Sequence, residues 1–130
     1  MANQLIIDGK PYSVIGGTSA YIQLSITVPV LVDGVKVNTP ISYGDADIKA
    51  VAYIGDGYVA QASVQEYGSG VLLIKLSSES TRLLSKDIGN VSAILDVSAT
   101  LRYDIANTSY KGGDKLAYRW LFGVEAMTHA

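Results

Sequence analysis

The side chains that could do chemistry in this sequence are few, and most stand in turn contexts. General acid–base work at neutral pH falls most often to histidine, and the only one is His129, the penultimate residue of 130. Chain ends fray, so a base there would be poorly held, and a Ser-His-Asp arrangement is not expected. Two carboxylates facing one another across a cleft could hydrolyse a glycoside. Three of the twelve acids, however, Asp8, Asp33 and Asp56, each precede a glycine, which is hairpin chemistry first. Glu66, Glu79 and Glu125 fall at element edges and read as solvated. Gly44-Asp45-Ala46-Asp47 is the best metal candidate, since carboxylates two residues apart can share a hard cation. Calcium asks for roughly six to eight oxygens, and no further ligand spacing follows. Neither Gly55-Asp56-Gly57 nor Gly112-Gly113 has the pattern of a phosphate-cradling loop. With no cysteine, disulfides, thiolate metal sites and cysteine nucleophiles drop out together. The chain is therefore expected to be no enzyme and to hold no cofactor or metal.

The aromatics carry more information. Nine tyrosines and one tryptophan stand against a single phenylalanine. Tyrosine replaces phenylalanine where one end of the ring meets water or a polar partner, and it is enriched at interfaces. Tyr118, Trp120 and Phe122 alternate near the end of the chain, and Tyr103 could lie alongside them. These four are the candidates for a subunit contact or a sugar-stacking platform, with the ordinary alternative that they fill the core.

Period-two alternation dominates the elements that must position them. From Ala20 to Val30 the even residues are apolar, through Ile22, Leu24, Ile26 and Val28. Pro29 cannot donate to a ladder, so the strand should end, bulge or lie on an edge there. Asp33-Gly34 then predicts a tight type I′ hairpin. A second long strand runs from Val91 to Tyr103, with only Ile94 breaking its polar face. Between them Ile48–Ile54, Tyr58–Gln65 and Val71–Leu76 form a glycine-punctuated meander, with a turn at Gly55-Asp56-Gly57. One short helix is expected near 79–88, capped by Ser78 and closed by Gly89, as a crossover between sheets. Lys115–Glu125 reads as a strand on aromatic richness, with a helix as the alternative. The fold class is all-β: residues 1–130 form one antiparallel β-sandwich domain, the jelly roll being one form of it and a closed barrel the runner-up.

Composition narrows the setting. Hydrophobic residues make up 48% and charged ones 17%, below the roughly 25% usual for a solvated domain, which suggests surface covered by something else, other copies of the chain being one case. Ten basic residues against twelve acidic give a net charge of −2, with no basic run, so no nucleic-acid partner is expected unless folding assembles a stripe. Met1-Ala2-Asn3-Gln4 lacks a charged stretch followed by an apolar one, so no leader is expected, and no apolar run approaches the length of a membrane span. Two binding classes remain, a self-associating structural protein and a small carbohydrate- or protein-binding β-module.

The strand Ile22–Val30 running into Asp33-Gly34, the passage Tyr53-Ile54-Gly55-Asp56-Gly57-Tyr58, and the helix-then-strand stretch Ser80–Tyr103 resemble the small β-domains of tailed-phage virions. These are head decoration or cement proteins, head fibres and baseplate modules. The resemblance implies a non-enzymatic homo-oligomer bound to other virion proteins at capsid or tail, assembled in the host cytoplasm. It carries over no site residue. A single-stranded RNA phage coat resembles a sheet with basic strands and C-terminal helices, and this chain departs from both features.

Overall fold

The computed structural model describes residues 3–54, 58–68, 70–84 and 91–125. Among the described residues are twelve strands, one short α-helix and a single 3-10 turn at Tyr43–Asp45, and the all-β class holds. In chain order the strands are β1 (Asn3–Gln4), β2 (Ile6–Ile7), β3 (Lys10–Pro11), β4 (Ser13–Ile15), β5 (Ala20–Leu24), β6 (Thr27–Val32), β7 (Val35–Pro40), β8 (Ala46–Ile54), β9 (Tyr58–Gly68), β10 (Val71–Leu76), β11 (Val91–Leu101) and β12 (Lys115–Glu125); α1 (Ser78–Leu84) lies between β10 and β11. Eight strands form one sheet in the order β1-β12-β11-β8-β9-β10-β5, with β4 beside β12 on the same edge as β1. The β2–β3 and β6–β7 hairpins stand outside it.

The meander forms as the sequence predicts, while the order of the other strands comes from the structure. β8, β9 and β10 are an antiparallel meander, and β11 lies antiparallel between β8 and β12. The segment Lys115–Glu125 is a strand, with Phe122 and Val124 buried and Leu116, Tyr118 and Trp120 half-buried on the same face. Three expectations need correction. The stretch Ala20–Val30 is two strands, because the chain leaves the main sheet at Ser25-Ile26 while its burial alternation continues unbroken into β6. The pairing is mixed, since β1 and β4 run parallel to β12. The oxygen that caps α1 belongs to Ser77 rather than Ser78, accepting from the Ser80 amide at 3.2 Å. Gly89, the Gly55-Asp56-Gly57 turn and His129 lie outside the described residues.

The sheet must curl. β4 sits at one end of the path and β5 at the other, yet only residues 16–19 connect them. The five steps from Ile15 to Ala20 reach roughly 18 Å at most, whereas six strand spacings laid flat would need about 29 Å. Curling places one face inside, and that face is the core. Its central strands mix small and large residues, Ala46, Ile48, Ala50 and Ala52 on β8 and Ala93, Leu95, Val97, Ala99 and Leu101 on β11. The strands on either side add Ile22, Leu72, Ile74, Leu76 and Phe122.

Thr81 fixes the connection. Its side chain is fully buried, and it is the one buried polar residue among those described. The hydroxyl oxygen accepts from the Gly17 amide at 3.0 Å, and the hydroxyl lies 2.6 Å from the Thr18 carbonyl, to which it donates. Gly16 meanwhile donates to Glu125 on β12 at 3.0 Å. One turn therefore holds β12 and the crossover helix together. Thr81→Val keeps the shape but strands a buried donor and acceptor, which should cost about 1–3 kcal/mol. Thr81→Ser should retain most of the stability. Denaturant melts of the two variants check this, and a Val variant as stable as the wild type would contradict it.

Candidate interaction surface

The four aromatic candidates do not form one platform. Phe122 is fully buried, with Tyr12 tilted against it at 6.5 Å between ring centres. Tyr118 and Trp120 stack at 6.3 Å and 14° on the inner face of β12, packed against the core. The Tyr118 hydroxyl donates to the Thr27 carbonyl at 2.9 Å, tying the start of β6 to the main sheet. Tyr103 lies just past the end of β11, 65% exposed. It borders a cavity of about 260 Å³ beneath the β6–β7 hairpin, together with Val28, Ile41, Asp45 and Asp104.

The acids take structural roles where their contacts are defined. Asp8-Gly9 and Asp33-Gly34 both have positive φ at each residue, the signature of type I′ turns. Asp104 accepts from the Gly112 amide, and Asp114 accepts from the Lys111 amide. Asp45 borders the cavity while Asp47 sits on the outer face of β8 opposite Thr100. Among the described residues no three His, Cys, Asp or Glu side chains come together as metal ligands.

On the outer face of the sheet, Ile94 is not isolated. It pairs with Leu121 on one side and Tyr53 on the other, and Tyr53 pairs with Val59, giving an apolar row four strands wide. Next to it Arg119 donates to Asp96 at 2.9 Å, which raises the Arg119 pKa further. Beyond lies a shallow hollow of about 410 Å³, bordered by Lys49, Lys115 and Arg119 around Ser98 and Ala117. Folding thus gathers three dispersed basic residues, one of them already paired.

The largest departure from burial is the β6–β7 hairpin. Its register pairs Val28 with Thr39, Val30 with Val37, and Val32 with Val35. Five valines and a threonine therefore share one face. At the base this face enters the core, Val28 being 3% exposed. At the tip it runs off the molecule, with Val32 49%, Val35 62% and Val37 45% exposed. Leu31, on the opposite face, is 50% exposed, and all six residues of β7 are exposed. The sequence carried the signal, because a two-residue turn at Asp33-Gly34 forces Val32 opposite Val35. Alternation alone does not say that nothing covers them.

No protein-family model and no curated protein matches this chain. What the arrangement offers chemically is area: an apolar arm, an apolar row and a shallow basic hollow.

Burial raises the Tyr118 pKa above its ordinary value of 10.0, and Tyr110 adds to the rise. The folded state thus favours the neutral phenol. Its contribution to stability is complete below about pH 10 and is lost as pH climbs through the higher folded value. Tyr118→Phe should cost about 1 kcal/mol at neutral pH and lessen the alkaline loss. Melts across pH, with tyrosinate absorbance recorded alongside, check both. Equal stability of the two proteins at every pH would contradict a role for the hydroxyl in holding β6.

Proposed function

We propose that this protein is a non-enzymatic structural subunit that associates with copies of itself by burying surface. The observation that carries this is the valine face of β6–β7, continuous from the core to a tip with about half of each side chain in water. A two-stranded hairpin is marginal in water by itself. A contiguous exposed apolar patch on a small domain marks an interaction site more often than chance. The low charged fraction of 17% points the same way.

The virion setting, as a capsid decoration, fibre or baseplate component, rests on the resemblance of the strand pattern to small tailed-phage β-domains. Other virion proteins would be the further partners. No described helix is long and apolar enough to cross a membrane. The alternative, a glycan-binding module on the aromatic face, has less support. Two of its rings stack on one another against the core, a third is fully buried, and the Tyr118 hydroxyl is committed to Thr27.

Light scattering on the purified chain over a range of concentrations tests the reading. The mass should rise above the 13.8 kDa of the monomer as concentration increases. Val35→Ser removes an exposed methyl pair and should change folding stability by no more than about 0.5 kcal/mol, while weakening association. A constant monomer mass for the wild type would overturn self-association.

A further inference from the structure

The β6–β7 ladder has a definite parity. Ile41 donates to the Ile26 carbonyl at 2.8 Å, directly below the hairpin, and the Leu31 amide turns the other way, towards the Asn107 carbonyl at 3.5 Å. Antiparallel pairs alternate between bonded and non-bonded. Val32–Val35, Val30–Val37 and Val28–Thr39 are therefore the bonded pairs, and Leu31–Lys36 and Pro29–Asn38 the non-bonded ones. Pro29, which has no N–H, occupies a non-bonded position on β6. The main-chain groups of Lys36 and Asn38 consequently point away from β6, and their amides meet no acceptor among the described residues. The two edges differ. β6 is blunted by Pro29, and its Leu31 amide already faces the Asn107 carbonyl, whereas β7 is an exposed edge of the kind that recruits another strand.

Resting on the self-association reading above, we infer that the occupant of this edge is the β7 of a second copy, paired antiparallel about a two-fold axis. Lys36 then lies opposite the partner's Asn38, and Val37 opposite its own equivalent. The strand is self-complementary in this register. Each Lys36 and each Asn38 both donates and accepts, and no like charges are opposed. The arm carries one cation, Lys36, and one anion, Asp33, so two copies meet without net repulsion. Pairing Lys36 with its own equivalent would oppose two ammonium groups across the ladder. Sliding the other way brings in Pro40, which lacks a donor and already lies against Gly70, where even a methyl carbon would come within 2.6 Å of its ring. A six-residue edge is small beside the roughly 800 Å² per partner of a standard interface. The dimer is accordingly weak, dissociating on dilution.

Asn38→Pro tests the pairing on the full chain by sedimentation over a concentration series. Proline at 38 removes an outward N–H, leaves the bonds to β6 intact, and stands opposite a proline already tolerated at 29. Dimerisation should weaken by at least about tenfold through the loss of two main-chain hydrogen bonds, while Asn38→Ala dimerises like the wild type. A folded Asn38→Pro variant that dimerises as well as the wild type overturns edge pairing and leaves self-association standing, with the valine faces packed on each other as the remaining mode. A wild type that stays monomeric throughout overturns both and leaves the edge to a strand of another protein. Amide exchange on the wild type is the second measurement, needed if the proline variant does not fold. The Lys36 and Asn38 amides should become protected as concentration rises, and fast exchange at concentrations where the dimer forms overturns the pairing.

Discussion

The fold depends on one short connection that must span the two ends of a sheet. Residues 16–19 join β4, beside β12, to β5, beside β10, and the distance they can cover sets how tightly the strands between must curl. Thr81 makes the connection specific. A buried hydroxyl that both donates and accepts fixes Gly17 and Thr18 against α1, and such a group is stabilising only while both partners are present. The crossover helix earns its position there, bridging β10 and β11 while holding the turn.

Curling decides which side chains fit inside. Alanines on β8 and β11 are interleaved there with Ile48, Leu95, Val97 and Leu101, and β5, β10 and β12 contribute Ile22, Leu72, Ile74, Leu76 and Phe122. It also decides what cannot fit. The chain leaves the main sheet after β5, and the hairpin that follows packs its base over the core through Ile26, Val28 and Ile41. Tyr118 holds that base by its hydroxyl. Beyond Val30 there is no more sheet to lie on. The valine pattern continues regardless, so the tip keeps an interior composition in an exterior position.

Much of this was legible in the sequence, and the exceptions have physical reasons. The long strands announced themselves because each has one buried face, and period two reports that directly. The Asp-Gly turns were equally plain, since few residues adopt positive φ at two successive positions. The break at Ser25-Ile26 left no trace, because the inward face of β5 and that of β6 join in phase. β1 and β4, two and three residues long, are too short to show any period. Curl is a property of the whole path and belongs to no segment of it. At the surface, Ile94 stood out as a single exception, and its meaning came only from Leu121, Tyr53 and Val59 arriving beside it from three other strands. The aromatic residues drew attention by type. Of the four named, Tyr118, Trp120 and Phe122 lie on the inward face and Tyr103 is exposed, and the apolar face of the hairpin tip belongs to valines that looked like ordinary core.

If the arm serves association rather than folding, it should be removable. Replacing Leu31–Lys36 with Asn-Gly would close the hairpin on Val30–Val37, a bonded pair, as a two-residue turn requires. The shortened chain, compared with the wild type by sedimentation equilibrium and thermal melting, should keep its cooperative unfolding and remain monomeric at every concentration. A shortened chain that still associates like the wild type, or one that no longer folds, would contradict the account.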